Sequence, residues 1–236
     1  MGRKQLIGHS LTALIAIGLT VFAFAQQPDP NSFSIARIRW TGGGGGFFGP
    51  QWAHDYPVSE ENLMFQLRQV TTIRLTKEAQ IVELDDPELF NYPFGYMCEV
   101  QDCVLSDEEV RGLREYLLRG GFLLVDDAWT DEGLERFSRE LKRVFPNRSI
   151  ERLGMDHPVY HTFYSITDIP AIQPGFRRRL TAPAAYGLSD DSGRLMLLLN
   201  WNNDVSDGWE WAAVDHETGV SAYKLGINYI LYAMSH

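Results

Sequence analysis

The sequence predicts an α/β fold, a three-layer sandwich in which a mostly parallel sheet is covered by helices on both faces. Two observations lead to this prediction. Short apolar runs alternate along the chain with longer segments whose apolar residues recur at helical spacing. In addition, residues 105–127 contain a helix start, a glycine stop, an apolar run and two carboxylates in that order. Strands that alternate with helices pair in parallel, so both observations indicate the same architecture.

Residues 105–127 contain the signals that mark where a helix begins and ends and where the following strand lies. Ser106 and Glu109 have the spacing of a capping box, in which each side chain binds a backbone N–H at the start of a helix. Gly120 and Gly121 can adopt positive φ without strain, so they are expected to end that helix. Residues 122–125 are apolar and few enough to form a strand that is buried on both faces.

The remaining elements are predicted from the same patterns. Strands are predicted over residues 34–40, 81–84, 94–98, 150–153 and 195–199. Helices are predicted from near Ser59, from Asp131 to a stop at Pro146, and over residues 222–233. No internal repeat or linker composition interrupts residues 26–236, so we expect a single domain there.

The first 25 residues have the order of a secretory signal peptide. Arg3 and Lys4 precede the apolar residues 11–24, and the Ala-Phe-Ala at residues 23–25 is a typical cleavage site. Cleavage after Ala25 predicts a periplasmic or secreted protein. The alternative is an uncleaved segment that anchors the protein in the inner membrane, because the apolar region nearly reaches the length of a spanning helix.

The chain is acidic, with 31 acidic and 21 basic residues and a formal net charge of −10. A surface of this charge repels phosphate backbones, so no nucleic-acid partner is expected. The expected partner is a small polar ligand, a glycan or a protein. Five tryptophans could supply flat apolar surfaces for it, unless they belong to the core: Trp52, Trp129, Trp201, Trp209 and Trp211.

The two cysteines, Cys98 and Cys103, are predicted to form a disulfide. Export favours the bond, and their short separation can be closed by a tight turn. A catalytic Cys98 is the alternative, because this residue ends a predicted strand. In a nucleophile elbow, however, a turn of small residues leads directly into a helix. Here the predicted helix does not begin until Ser106.

The glycine run at residues 42–46 is interpreted as a mobile loop over the edge of the sheet. A phosphate-binding loop would need Gly-Lys-Ser or Gly-Lys-Thr before a helix, and neither follows this run. The aromatic residues that come after it, including Trp52 and Tyr56, could still form the wall of a pocket.

Polar side chains follow several predicted strands, and parallel strands present their carboxyl ends at one edge, where α/β proteins bind ligands. The predicted ligand-binding residues are His54, Asp126, Asp127, Asp156, His157 and Asp204, of which Asp126, Asp127 and His157 are the catalytic candidates. Carboxylates and imidazoles could bind a divalent cation or transfer protons. Their spacing matches no metal signature, so no metal and no cofactor is assigned. The alternative is that these residues cap helices and close turns.

The order of several motifs resembles a bacterial family known as domain of unknown function 4159. The motifs include Leu-Phe-Asn-Tyr-Pro-Phe at residues 89–94, the unit at 105–127, Asp-His-Pro-Val at 156–159 and Gly-Ile-Asn-Tyr-Ile-Leu-Tyr-Ala at 226–233. The resemblance covers nearly all of residues 26–236. It implies a flavodoxin-like sandwich of the class I glutamine amidotransferase-like type. It does not imply glutaminase activity, because the region of Cys98 contains no Gly-x-Cys-x-Gly elbow.

Two functions remain open. The first is a non-catalytic exported domain that binds a ligand, a glycan or a partner protein at the carboxyl edge of the sheet. The second is a hydrolase-type enzyme that uses Asp126, Asp127 and His157, with or without a metal. The first is favoured, because the missing nucleophile elbow is visible in the sequence whereas a replacement catalytic set is only inferred.

Overall fold

The computed structural model describes residues 32–42, 45–46, 49–76, 78–172, 182–212 and 216–236. The strands are β1 (Ile35–Ile38), β2 (Gly45–Gly46), β3 (Gly49–Pro50), β4 (Gln80–Val82), β5 (Phe94–Cys98), β6 (Phe122–Ala128), β7 (Glu151–Arg152), β8 (Ala184–Ser189) and β9 (Leu195–Trp201). The α-helices are α1 (Val58–Val70), α2 (Asp107–Leu118), α3 (Asp131–Val144), α4 (Val205–Glu210) and α5 (His216–Ser235). Short 3-10 helices lie in the loops at Gln51–Ala53, Pro87–Asn91, Val100–Asp102 and Pro158–Tyr160.

Seven strands form one sheet in the order β4, β1, β5, β6, β9, β8, β7. The first five are parallel to one another, whereas β8 runs antiparallel to both β9 and β7. The predicted α/β fold with a mostly parallel sheet is therefore confirmed. Because the five parallel strands share one direction, their carboxyl ends lie together at one edge, which we call the carboxyl edge. The opposite edge is the amino edge.

Helices cover both faces of the sheet. One cluster of buried side chains includes residues of α1, α4 and α5, such as Leu63, Trp209 and Leu225. The second cluster includes residues of α2 and α3, such as Leu113 and Phe137. The sheet thus lies between two helical layers, each with its own apolar core.

Several element boundaries agree with the sequence pattern. The strand β5 has the predicted bounds, and the capping box at the start of α2 is formed. There Ser106 Oγ accepts a hydrogen bond from Glu109 N at 3.0 Å, and Glu109 Oε2 accepts one from Ser106 N at 2.7 Å. The helix α3 begins at Asp131 as predicted and ends at Val144, ahead of Pro146.

Other boundaries were predicted wrongly or missed. The strand β6 continues to Ala128, so Asp126 and Asp127 lie within it, and its pairing with β9 is shifted between Val125 and Ala128. The strand β8 and the helix α4 were not predicted. A turn at Asp190, whose Oδ1 accepts hydrogen bonds from two following backbone N–H groups, joins β8 to β9 as a hairpin. The Asp-rich, Gly-containing sequence of this turn is typical of a hairpin and could have predicted it.

Two predictions fall wholly or partly outside the described residues. The signal segment at residues 1–25 is one, and the glycine run at residues 42–46 is the other, because residues 43 and 44 are not described. Within the described part of this run, β2 pairs with β3 as a small antiparallel sheet. Among the helices that the structure describes, none is both long enough and apolar enough to cross a bilayer.

The predicted disulfide is not formed in this structure. Cys98 and Cys103 are both buried free thiols. Cys98 belongs to the core beneath α1 and α5, whereas Cys103 belongs to the core beneath α2 and α3. The two sulfur atoms therefore lie on opposite faces of the sheet, and the turn at Val100–Asp102 between them does not close the loop.

The fold makes a testable prediction at Gly112, which lies inside α2. Alanine normally stabilises a helix interior by about 1 kcal/mol relative to glycine. At Gly112, however, an added Cβ would overlap Leu84 O, a backbone atom that can move only with its turn. We expect Gly112→Ala to lower the free energy of unfolding by about 1–3 kcal/mol, measured by urea denaturation. Glu115→Ala, at an exposed position of the same helix, is the control and should change stability little.

Candidate functional site

The carboxyl edge collects acidic side chains from four segments of the chain. The loop before α1, the end of β5, the end of β6 and the helix α4 each contribute to it. We call the following six residues the acidic edge: His54, Asp55, Glu99, Asp127, Asp207 and Glu210. Five carboxylates and one imidazole thus lie where parallel strands of an α/β sheet bind ligands.

His54, Glu99 and Asp127 form the first group of the acidic edge. His54 Nδ1 lies 3.6 Å from Asp127 Oδ2 and 3.9 Å from Glu99 Oε1. These separations are longer than hydrogen bonds. Two atoms that each ligate one cation at about 2.1 Å are roughly 3–3.5 Å apart, which is close to the observed spacing. One ligand atom from each residue lies within 4.8 Å of the others, so the group could hold a divalent cation.

Asp55, Asp207 and Glu210 form the second group, with one oxygen from each within 4.8 Å of the others. His54 Nδ1 also lies 3.6 Å from Asp55 Oδ1, so the imidazole joins the two groups. Burial and the nearby charge of Asp55 raise the pKa of Glu210 to about 7. Glu210 is therefore protonated about half of the time at pH 7, and its protonated form could donate a proton to a bound molecule.

The first group is open to solvent on one side. The side chain of His54 is 31% exposed and that of Glu99 is 16% exposed, whereas that of Asp127 is 1% exposed. A ligand would therefore approach past the imidazole, with Asp127 at the base of the site.

Three acidic residues of this edge have left-handed backbone conformations. The φ angles are 61° at Asp55, 51° at Glu99 and 51° at Asp127. Such conformations cost a non-glycine residue about 1–3 kcal/mol and cluster at functional sites. Glu99 directly follows β5 and precedes the helix at Val100–Asp102. A sharp strand-to-helix turn thus exists one residue after Cys98, but its apex carries a carboxylate and not a thiol.

Asp126 points into the protein, unlike its neighbour Asp127. Its carboxylate accepts hydrogen bonds from Asn200 Nδ2 at 2.9 Å and from Ser206 N at 2.8 Å. Asn200 Oδ1 in turn accepts from Tyr229 at 3.1 Å. Burial raises the pKa of Asp126 to about 6. These contacts join β6 to β9, α4 and α5, so the structure places Asp126 beneath the site and not on its surface.

Asp204 is also buried, at the start of α4. Its Oδ1 accepts a hydrogen bond from Asp207 N at 3.1 Å, which caps this helix. Ser206 Oγ lies 3.1 Å from Asp204 Oδ1 and 2.9 Å from Asp55 Oδ2. A hydroxyl group has a single proton, so this bridge is fully hydrogen-bonded when one of the two carboxyl groups is protonated. Burial, followed by the charge of Asp207, raises the pKa of Asp204, which favours the protonated form of this carboxyl group.

A buried network supports the loop that carries His54. Arg37 Nη1 donates to Trp52 O at 3.1 Å and to Cys98 Sγ at 2.9 Å. Cys98 Sγ lies 3.3 Å from Gln51 O, to which the thiol donates. Burial raises the pKa of Cys98, so the thiol form is the stable one at neutral pH. In this structure Cys98 helps to position the loop and has no solvent exposure suited to a nucleophile.

His157 and Asp156 do not reach the acidic edge. The ring of His157 packs against Tyr232 on α5, with ring centres 5.8 Å apart. Tyr232 accepts a hydrogen bond from Leu195 N, at the first residue of β9, whereas the acidic edge lies beyond the last residue of that strand. His157 Nδ1 accepts from Val159 N and closes a turn. The prediction that His157 and Asp156 share a site with Asp126 and Asp127 is therefore wrong.

The tryptophans divide between core and surface. Trp129 and Trp209 are buried, and the indole N–H of Trp129 donates to Asp127 Oδ1. Trp52 and Trp201 are half-buried, and Trp211 is 55% exposed beside Glu210. Trp129 and Trp209 thus belong to the core, whereas Trp211 offers an apolar surface next to the second acidic group.

The structure brings together four of the six residues that the sequence predicted for ligand binding, His54, Asp126, Asp127 and Asp204. Two of these, His54 and Asp127, belong to the acidic edge, and the other two lie beneath it. Glu99 was not among the residues predicted from the sequence, although its position directly after the buried strand β5 was a signal for it.

These features define the protein as an α/β domain with an acidic edge at the carboxyl ends of its parallel strands. A family described as a domain of unknown function, DUF4159, matches residues 34–234, and the chain belongs to this family. A comparison with curated proteins finds no match.

The contacts of Asp126 predict a structural role that mutation can test. An asparagine there would turn an amide N–H₂ toward one of two donors, Asn200 Nδ2 or Ser206 N. We expect Asp126→Asn to lower the free energy of unfolding by about 1–3 kcal/mol, because a buried donor loses its acceptor. Asp127→Asn is the matched control, since asparagine tolerates the positive φ there. Equal stability of both variants in denaturant titrations would contradict this role.

The raised pKa values predict that stability falls as the pH rises. Asp126 titrates near 6 and Glu210 near 7 in the folded protein, above their values of 3.8 and 4.5 in unfolded chains. The folded state therefore binds more protons between these limits, and this stabilisation is lost as the pH passes through the folded pKa values. We expect a lower melting temperature at about pH 8 than at about pH 5. Glu210→Gln should flatten the profile, whereas Asp190→Asn should not, because the pKa of Asp190 is about 2.

Proposed function

We propose that this protein is an exported ligand-binding domain that binds a divalent cation at its acidic edge through His54, Glu99 and Asp127. The basic residues Arg3 and Lys4, followed by the apolar residues 11–24, support export across the inner membrane. This proposal differs from the sequence analysis, which assigned no metal. The cation would in turn present an open coordination position to a small polar ligand or a glycan.

The observation that carries the proposal is the convergence of one imidazole and two carboxylates from three separate loops. His54 Nδ1 lies 3.6 Å from Asp127 Oδ2 and 3.9 Å from Glu99 Oε1. Two of these residues, Glu99 and Asp127, are held in left-handed backbone conformations that direct their side chains to this point. A mixed set of one nitrogen and two oxygens suits Zn²⁺ or Mn²⁺ better than Mg²⁺, which prefers oxygen ligands and water.

We also propose that the fold is of the class I glutamine amidotransferase-like type. The parallel sheet between two helical layers and the sharp turn after β5 support this classification. Glu99 occupies the apex of that turn, so the domain has no nucleophile there for glutaminase chemistry. The acidic charge of the chain supports the absence of a nucleic-acid partner.

A metal-assisted hydrolase is the second candidate, and one observation favours it. Glu210 lies in the second acidic group, joined to the first by His54, and its pKa is raised to about 7. A carboxyl group that holds a proton near neutral pH could protonate a leaving group beside a cation. In this version the catalytic residues are Asp127 and Glu210, because Asp126 is buried and His157 lies elsewhere.

Cation binding is tested by thermal shift and calorimetry with Zn²⁺, Mn²⁺ and Mg²⁺. A cation at a hundredfold its Kd raises the stability by about 2.7 kcal/mol, which is a measurable shift. We expect His54→Ala and Asp127→Asn each to weaken Zn²⁺ or Mn²⁺ binding at least about tenfold, because the first removes the ligand nitrogen and the second replaces an anionic ligand by a neutral amide. Neither change should prevent folding, since both side chains lie at the edge.

His157→Ala is the matched control, because His157 has the same chemistry but packs against α5. It should leave the affinity for each cation unchanged. The proposal fails if no cation raises the melting temperature, or if His54→Ala and His157→Ala alter binding equally.

A further inference from the structure

An apolar groove of ≈ 580 Å³ lies at the amino edge, at the opposite end of the sheet from the acidic edge. It is lined by Gln69, Val70, Thr71, Thr72, Ile73, Phe163 and Leu231. Val70 is 38% exposed and Phe163 is 48% exposed, and Met234, one helical turn after Leu231, is 43% exposed. Exposed apolar side chains that share one surface mark an interaction site.

The chain enters the domain beside this groove. Phe33 N donates to Arg74 O at 2.8 Å, and Thr76 N donates to Phe33 O at 2.9 Å. The first described residues are therefore hydrogen-bonded to the strand-like segment that directly follows Ile73 in the groove. Only residues 25–31 separate this point from the apolar residues 11–24. Seven residues span at most about 25 Å, so the edge of the domain at which the chain enters is tethered within that distance of residues 11–24.

Three basic residues neighbour the groove lining in a chain whose net charge is −10. Arg68 and Arg74 are exposed and adjoin Gln69 and Ile73 of the lining in sequence, and Lys224 Nζ lies 5.8 Å from the ring centre of Tyr164, the neighbour of Phe163. None of the ion pairs found among the described residues uses these three side chains. Basic side chains around an apolar surface suit anionic lipid headgroups above acyl chains.

We propose that this face of the amino edge lies against a lipid bilayer that holds residues 11–24 as an uncleaved anchor. Residues 11–24 are then the uncleaved membrane anchor that the sequence allowed as the alternative to a cleaved signal peptide. Val70, Phe163 and Met234 contact the interfacial region, while Arg68, Arg74 and Lys224 bind anionic headgroups. The acidic edge, at the other end of the strands, then faces away from the membrane and stays open to ligands.

A second copy of the chain is the competing occupant of the groove. In a two-fold symmetric dimer the same surface meets itself, so the three cations of both copies would be brought together. Like charges at close range oppose such an interface. The bilayer is favoured because it complements both the apolar side chains and the cations.

The test places a tryptophan reporter on this face of the full-length protein in vesicles that contain phosphatidylglycerol with brominated acyl chains. The tryptophan introduced by Phe163→Trp should lose most of its fluorescence in these vesicles, because bromine quenches indoles at the bilayer interface. Val104→Trp is the matched control, since Val104 is 60% exposed near the carboxyl edge, and its added emission should persist. The six native tryptophans lie at the carboxyl ends of strands or in the segments that follow those ends, and their emission is subtracted as a constant background.

Charge reversal tests the headgroup contacts separately. Arg68→Glu with Lys224→Glu should reduce the quenching of Phe163→Trp in phosphatidylglycerol vesicles and leave it unchanged in phosphatidylcholine vesicles. Equal quenching at positions 163 and 104 would overturn the proposal. So would recovery of the protein from cells as a soluble form that begins at Gln26, or a lipid-independent dimer that buries position 163.

Discussion

The buried guanidinium of Arg37 is the interaction on which the arrangement of the carboxyl edge depends. A charge removed from water costs several kcal/mol unless it is paired and hydrogen-bonded. Arg37 Nε donates to Glu60 on α1, and its Nη1 donates to Trp52 O and to Cys98 Sγ. One side chain on β1 thereby joins a helix, a neighbouring strand and the loop before α1. Arg37 thereby holds Trp52, two residues before His54, against the sheet.

The acidic edge concentrates negative charge because five strands run in the same direction. The carboxyl ends of these strands lie at the same edge, where Glu99 directly follows β5 and Asp127 belongs to the end of β6. Burial, and after it repulsion from neighbouring carboxylates, raises the pKa values of Asp204 and Glu210, so part of the charge is neutralised by protons. Under the proposed function a divalent cation would neutralise it instead, which links ligand binding to the stability of this edge.

Local patterns predicted much of the fold because they depend on neighbours in sequence. The capping box of Ser106 and Glu109 and the bounds of β5 required only short-range information. Predictions that depended on the path of the chain were less successful. The segment after β7 turns toward α5, which carries His157 away from the acidic edge. Cys98 and Cys103, though close in sequence, lie on opposite faces of the sheet, because a short helix separates them.

The sequence by itself determined that this is an acidic α/β domain with polar residues after its strands, since periodicity and caps are encoded locally. Only the tertiary structure decided which of those polar residues meet. Asp126 and Asp127 are adjacent in the chain, yet one is bound by Asn200 within the core and the other lies with His54. The left-handed conformation of Asp127, at the point where the pairing of β6 is shifted, separates their roles. The shift occurs in the pairing of β6 with β9, which joins residues distant in sequence, so local patterns in the chain do not encode it.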